Sequence, residues 1–114
     1  MINLYAYSYP AAANKFKDTG YILLKLGDSH RDIEVRIIIG SWNNLQTIKR
    51  DHDLHEVLTK RGLWHSGKHK GTEWFKIPGN SEQEAFTYID ELVAEFEGKR
   101  VRKQVKLRAY NKKP

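Results

Sequence analysis

The chain has 114 residues, with 20 Lys or Arg against 14 Asp or Glu, and it contains no cysteine. This length supports one domain with a modest core, and the lack of cysteine excludes disulfides and thiolate metal sites. No apolar run approaches the ~20 residues that span a bilayer, and the first residues lack the basic and apolar regions of a signal peptide. We therefore expect a cytoplasmic protein without membrane association.

Two β-strands are predicted in the first third of the chain. Ile2 to Tyr9 alternates tyrosines with aliphatic residues, so the tyrosines share one face of the strand. Pro10 ends this strand, and Ala11 to Thr19 is typical of a loop. Gly20 then precedes a second strand, Tyr21 to Leu26.

The middle of the chain is ambiguous. Asp32 to Ile39 combines a partial helical pattern with the β-branched residues of a strand. We favour a short helix that Ser29 caps and Gly40 ends, because acidic residues cluster in its first turns. A third short strand is expected over Leu45 to Lys49.

Two helices are predicted in the second half. Asp51 to Arg61 has an apolar stripe at helical spacing, and Gly62 ends it. Ser81 to Glu97 is the clearest element, because Ser81 and Glu84 form a capping box and Gly98 follows the last periodic residue.

A loop and a short strand separate these helices. Leu63 to Thr72 is polar and rich in basic residues and glycine, which indicates a mobile surface loop. Trp74 to Ile77 is short and largely apolar. Together these elements predict an α/β domain in which a small, mostly antiparallel sheet of about three strands is flanked by helices.

Several polar side chains have the chemistry of a phosphodiester cleavage site. Such hydrolysis needs an activated water, a cation at the developing charge and help for the leaving oxygen. Tyr5 and Lys25 are predicted on strands that can lie side by side. Arg36 offers a planar fork for phosphate oxygens, and Glu73 offers the carboxylate of a Mg²⁺ site. Each also has an ordinary alternative: a packing tyrosine, a solvent-facing lysine, an Arg36–Asp32 pair or an exposed strand end.

Five short segments follow one another in a suggestive order: Asn3-Leu4-Tyr5, Lys25-Leu26-Gly27, Arg36, Asp51-His52-Asp53-Leu54-His55 and Gly71-Thr72-Glu73-Trp74-Phe75. In this order they resemble the GIY-YIG nuclease superfamily, in a phage-type branch whose second motif is Lys-aliphatic-Gly. The resemblance covers roughly residues 2 to 97. It implies the fold of that superfamily and a DNA endonuclease that leaves 5′-phosphate and 3′-hydroxyl ends, in a bacterial or phage-infected cell.

The resemblance also implies roles for individual residues. Tyr5 would be the general base that activates water, with Tyr7 close enough to take that role instead. Lys25, where the superfamily usually has a second tyrosine, would lower the pKa of the base or contact the scissile phosphate. Arg36 would stabilise the phosphate in the transition state.

The remaining roles concern the metal and a proton relay. The resemblance implies that Glu73 holds one Mg²⁺ or Mn²⁺ ion near the leaving oxygen, and that His55 completes the relay. The sequence leaves the oligomeric state open.

The positive charge is concentrated at the C-terminal end. Residues 99–114 hold eight Lys or Arg and no acidic residue, which leaves 12 basic and 14 acidic residues, a net charge of −2, in residues 1–98. Attraction to DNA is therefore expected mainly from this segment. The alternative is that the segment is a solvated tail that does not bind DNA. We predict a nuclease-like domain over residues 1–97 and a basic extension, or a linker to a further domain, over residues 98–114.

Contacts to DNA are expected from two basic segments. Trp64, in the polar loop, is a candidate platform on which a base could stack. Core packing is the alternative for all three tryptophans, and we adopt it for Trp74. The candidate nucleic-acid-binding residues are Lys68, Lys70, Lys99, Arg100, Arg102 and Lys103.

Two other functions compete with the nuclease. A non-catalytic DNA-binding module could have the same fold without turnover. A zinc-dependent interaction domain is a weaker alternative, since His52 and His55 are one helical turn apart and His65 and His69 follow in the polar loop.

Overall fold

The structure, a computed structural model, describes residues 2–16, 18–29 and 38–105. Within these ranges the chain forms one six-stranded sheet in which all neighbouring strands are antiparallel. The strands are β1 (Ile2–Tyr7), β2 (Tyr21–Ser29), β3 (Ile38–Leu45), β4 (Trp64–Ser66), β5 (Trp74–Pro78) and β6 (Lys103–Val105), in the spatial order β4-β5-β2-β1-β3-β6. The helices are the single-turn α1 (Pro10–Ala13), α2 (His52–Lys60) and α3 (Glu82–Glu97).

The hydrophobic core lies between one face of the sheet and the two longer helices. Alternate residues of the strands point into it, as the burial of β1 and β5 shows, and they meet the apolar stripes of α2 and α3. The core includes Leu4, Ala6, Leu24, Leu26, Phe75 and Ile77 from the sheet, with Leu54, Leu58, Phe86, Ile89 and Val93 from the helices. Because α2 and α3 cover the same face, neither covers the opposite face of the central strands, where Tyr5, Tyr7 and Lys25 are partly exposed.

The predicted domain of about three strands flanked by helices is therefore wrong. The described residues form six strands, and both longer helices lie on one side of the sheet. Two of the missed strands, β4 and β6, have only three residues each, too few to show an alternating pattern. The sequence instead predicts a loop over Trp64–Ser66 and places Lys103–Val105 in the basic extension.

The region around Gly40 also differs from the prediction. Residues 30–37, which include Arg36 and most of the expected helix, lie outside the described residues. Ile39 and Gly40 belong to β3, so Gly40 does not end a helix. The strand expected over Leu45 to Lys49 is also misplaced, because β3 covers Ile38–Leu45 and ends where that strand was expected to begin. A Cβ at Gly40 would lie 2.2 Å from the Phe86 ring and 2.7 Å from the Gln104 carbonyl oxygen. Glycine is needed here because α3 and β6 both approach this strand closely.

Other local predictions are confirmed. The alternation in β1 buries Ile2, Leu4 and Ala6 and leaves the tyrosines partly exposed on the other face. Helix α3 begins after Ser81, whose hydroxyl accepts the Glu84 N–H at 3.1 Å. It ends at Gly98, which adopts a left-handed φ of 75°. None of the helices in the described ranges is long and apolar enough to cross a membrane.

Candidate functional site

The accessible face of the central strands carries several residues singled out in the sequence. Strand register places Lys25 between two aromatic neighbours, Tyr7 on β1 and Trp74 on β5. Tyr5 lies two residues from Tyr7 on the same face, opposite Gly27 of β2. We call this surface, defined by Tyr5, Tyr7, Lys25, Gly27 and Trp74, the open face.

Lys25 and Glu73 form an ion pair beside the open face. The Lys25 Nζ atom lies 3.7 Å from the Glu73 Oε1 atom, and the two side chains are about one third exposed, at 35% and 38%. The Lys68 backbone N–H donates to Glu73 Oε2 at 2.7 Å. This hydrogen bond, helped by the charge of Lys25, holds the pKa of Glu73 below its ordinary value. Glu73 is therefore a carboxylate at neutral pH.

The backbone of Glu73 adopts an unusual conformation. Its φ of 74° lies in the left-handed region, which L-residues other than Gly, Asn and Asp rarely occupy. The residue is anchored there, because its carbonyl oxygen accepts the Leu26 N–H at 3.2 Å. Glycine would adopt this φ without strain. Strained residues cluster at functional sites, so a glutamate at this position indicates a role for its carboxylate.

Tyr5 occupies a defined position above β2. A Cβ at Gly27 would lie 2.3 Å from both the Cζ and the hydroxyl oxygen of Tyr5. The ring thus fills the space that any side chain at position 27 would need. Gly27, predicted as part of a motif, acquires a physical role: it lets the Tyr5 ring lie directly across the neighbouring strand.

Three aromatic side chains cluster next to Lys25. Ring centroids of Tyr7 and Trp74 are 5.8 Å apart, those of Tyr9 and Trp74 are 5.8 Å apart, and those of Tyr7 and Tyr9 are 6.4 Å apart, all in edge-to-face geometry. Trp74 was predicted to pack in the core but instead lies on the open face. The signal available in the sequence was the position of Trp74 next to Phe75, since one of two adjacent strand residues must face away from the core.

Trp64 and Trp42 take the places that core packing predicts. Trp64, a candidate platform for a base with core packing as the alternative, packs against the core and donates its Nε1–H to the Thr72 carbonyl oxygen at 3.0 Å. Trp42 is fully buried and stacks on Phe86 with ring centroids 4.5 Å apart. Neither is available to bind a base on the open face.

His55 lies on the other side of the sheet. It is only 5% exposed, and its ring packs against Phe75 with centroids 5.0 Å apart. Its Nε2 is 2.9 Å from the Leu26 carbonyl oxygen, so this nitrogen carries the proton when the ring is neutral. Its Nδ1 is buried and has no hydrogen-bond partner in the described part of the chain. The structure therefore does not bring His55 together with Tyr5 and Lys25.

The predicted DNA-binding residues are dispersed. Lys68 and Lys70 are exposed in the segment between β4 and β5. Arg100 and Lys103 are not simply solvated, because they contact the buried carboxylate of Asp90 at 3.3 Å and 2.6 Å. Lys99 and Arg102 are exposed near the β6 edge of the sheet. Arg36 lies outside the described residues, so its position relative to the open face is not part of the site described here.

The part of the chain that the structure describes offers a carboxylate for a metal ion shared with substrate. Among the described residues, no group of three or more His, Cys, Asp or Glu could hold a metal ion. This does not favour the zinc hypothesis, since all four of its histidines are described. A Mg²⁺ ion that shares its ligands with substrate phosphates needs only one or two protein carboxylates. Glu73 is deprotonated and accessible, and therefore fits such a shared ion.

Comparison with known proteins gives no assignment. No protein-family model matches the chain, and no curated protein or solved structure is significantly similar to it. The functional argument therefore rests on the geometry of the open face.

Proposed function

We propose that this chain is a DNA endonuclease domain that hydrolyses phosphodiester bonds on the open face of its sheet. The observation that supports the proposal best is the convergence of Tyr5, Lys25 and Glu73. These residues are far apart in the sequence, yet strand register and the 3.7 Å ion pair bring them to one accessible surface. A phenol, an ammonium group and a carboxylate together can activate water and stabilise charge on a phosphate.

The proposed reaction needs a base and a positive charge beside the phosphate. Tyr5, or Tyr7 directly opposite Lys25, takes the proton of the attacking water. Lys25 places its positive charge beside the phosphate. The water oxygen bonds to phosphorus as the bond from phosphorus to the 3′-oxygen breaks. The leaving 3′-oxygen takes a proton from solvent and the base returns its own proton to solvent, so the products are a 5′-phosphate and a 3′-hydroxyl.

Glu73 would hold one Mg²⁺ or Mn²⁺ ion together with oxygens of the substrate phosphate. Such an ion supplies positive charge at the leaving oxygen. Lys25, 3.7 Å from the Glu73 carboxylate, would then be released from its pair and turn towards the phosphate. His55 has no part in this proposal, because it is buried on the other side of the sheet.

A plasmid-nicking assay tests the proposal. Wild type is incubated with supercoiled DNA and Mg²⁺ or Mn²⁺, alongside Glu73→Gln, Lys25→Met and the control Glu91→Gln, which changes an exposed acid on α3. We expect Glu73→Gln and Lys25→Met to lower the nicking rate by roughly 100-fold, the usual cost of losing one group that stabilises transition-state charge. The control should cleave at the wild-type rate. Undiminished cleavage by Glu73→Gln would remove the metal-site assignment.

A non-catalytic DNA-binding module is the second candidate. One observation favours it: both oxygens of Glu73 already have partners, the Lys68 N–H and the Lys25 ammonium group. If wild type binds DNA in a salt-dependent manner but nicks it with neither metal, the binding module is the better description.

A further inference from the structure

We propose that the open face binds single-stranded DNA, and that one unpaired base of this strand stacks in the cavity between α1 and Trp74. The inference rests on the proposed function for the identity of the ligand, but it adds the strand state of the substrate and a base-binding site. The cavity has a volume of about 310 Å³ and is lined by Tyr9, Ala12, Lys15, Leu23, His65 and Trp74 among others.

The walls of this cavity suit a flat aromatic ligand. Tyr9 and Trp74 meet at an interplanar angle of 88°, so a planar ring can stack on one of them while it contacts the edge of the other. Leu23 and Ala12 are buried and provide an apolar floor, at 5% and 4% exposure. Tyr9 is 43% exposed, which is unusual for a large aromatic side chain. Stacking on a base would cover this ring.

Cations surround the cavity and complement a phosphate backbone. Lys15 lines it, and Lys25 is the direct strand neighbour of Trp74. Lys76 of β5 is the cross-strand partner of Leu23 on β2, and its Nζ lies 5.1 Å from the centre of the Tyr21 ring. Burial, together with the charges of Lys15 and Lys76, lowers the pKa of His65, so this cavity residue is neutral at pH 7. An aromatic pocket bordered by cations is the usual design for single-stranded nucleic acid.

The geometry favours an unpaired strand over a duplex. Bases of a duplex are stacked on one another and expose only their edges in the grooves, so they cannot reach a recessed aromatic ring. The major groove admits a helix, but α2 and α3, the two longer helices of the described chain, both pack on the opposite face of the sheet. The open face itself presents flat aromatic and cationic side chains, which suit splayed bases.

Fluorescence anisotropy in EDTA tests the inference without cleavage. The probes are a labelled oligothymidylate of about 12 nucleotides, within the usual site sizes, and the same oligonucleotide annealed to its complement. We expect wild type to bind the single strand more tightly than the duplex. Tyr9→Ala should weaken single-strand binding by about 5- to 100-fold, the range expected for one lost stacking contact. Tyr88→Ala, which removes a tyrosine from α3, is the matched control and should bind as wild type does.

The outcomes separate this inference from the nuclease proposal. Tighter binding of the duplex by wild type, or unchanged single-strand binding by Tyr9→Ala, would overturn the inference while leaving the nicking result intact. A Tyr9-dependent preference for the single strand, with neither the plasmid nor the oligothymidylate cleaved in Mg²⁺ or Mn²⁺, would support the inference and remove the nuclease. Thermal melting of each variant shows whether a change in binding comes from unfolding, and Trp74→Leu provides a second test of the same cavity.

Discussion

Gly27 determines where the Tyr5 ring can lie. The ring lies in the volume that a Cβ at position 27 would fill, with two of its atoms only 2.3 Å from that point. Position 27 is otherwise an ordinary strand position, paired with Tyr5 across β1 and β2. Replacement by alanine would therefore act mainly through the tyrosine and would leave the strand pairing in place.

We predict that Gly27→Ala displaces the Tyr5 ring and lowers DNA cleavage to about the level of Tyr5→Phe. The cost in stability should be about 1–2 kcal/mol, because the clash involves the end of a partly exposed side chain that can rotate away. The measurements are nicking rate and denaturant unfolding. In a double-mutant cycle, Gly27→Ala should cost much less stability when Tyr5 is already alanine. Equal costs in both backgrounds would show that the two residues do not interact.

Individual side chains were predicted with mixed success, for physical reasons. Tyr5 and Lys25 could be placed on one face because strand residues alternate between faces. Trp74 could not, since hydrophobicity alone sends a tryptophan to the core and the register of a five-residue strand decides which neighbour is buried. The role in a proton relay that the resemblance implies for His55 stays a prediction, and α2 directs the His55 ring into the core against Phe75, away from the open face.

At the level of elements, Glu97 joins the end of α3 to the segment after β3. Its carboxylate accepts three backbone N–H groups, from Gln46 at 2.8 Å, Thr47 at 2.8 Å and Ile48 at 2.7 Å. Burial raises the pKa of Glu97, but these three hydrogen bonds outweigh it, so the net pKa lies below the ordinary value of 4.5. This one side chain thus accepts the backbone N–H groups of three successive residues that follow β3.

The lowered pKa predicts a defined pH dependence. A depressed folded-state pKa contributes stability above the ordinary value, and that contribution is lost as the pH falls through the folded-state pKa. We expect Glu97→Gln to be less stable than wild type at pH 7 by about 1–2 kcal/mol, since the carboxylate is partly exposed, and the difference to shrink below pH 4.5. Urea unfolding at several pH values measures it. Glu95→Gln, an exposed change on the same helix, should show no such trend; a pH-independent gap for Glu97→Gln would argue against the capping role.

The elements that could be predicted are those with long, regular patterns. Helix α3 runs for 16 residues with both caps visible in the sequence, and β1 has strict alternation. Strand β3 contains Gly-Ser-Trp-Asn-Asn, which lacks alternation and has low strand propensity. Its conformation comes from pairing with β1 on one side and β6 on the other. Tertiary contacts that join distant segments have no local signature, so the size of the sheet could not be inferred.

At the scale of the whole molecule, Asp90 links three parts of the fold. This residue of α3 is only 7% exposed, and its Oδ1 accepts the Trp42 Nε1–H from β3 at 2.9 Å. Its Oδ2 accepts Lys103 Nζ from β6 at 2.6 Å and Arg100 at 3.3 Å. Two of the cations that the sequence assigned to DNA binding are therefore engaged by a buried acid. This contact, together with the pairing of β6 with β3, joins residues 100–105 to the rest of the described fold.

We predict that Asp90→Ala destabilises the protein by roughly 2–4 kcal/mol. The change leaves the Trp42 N–H buried without an acceptor and Lys103 without its counter-charge. The loss should fall short of that for a fully buried pair, because the Lys103 side chain is 37% exposed and can turn into water. Lys103→Met should cost less, since Asp90 retains Trp42 and Arg100. Thermal unfolding gives the stability of each variant.

Hydrogen exchange then shows whether Asp90 also holds β6 on the sheet. In Asp90→Ala, the amides of residues 103–105 should exchange much faster than in wild type at a temperature where both remain folded, while those of β1 stay protected. Uniformly faster exchange throughout the sheet would instead mean that Asp90 stabilises the fold as a whole. The substitution also matters for DNA binding: it removes the acid that engages Arg100 and Lys103, so single-strand affinity of folded Asp90→Ala should become more salt-dependent than that of wild type.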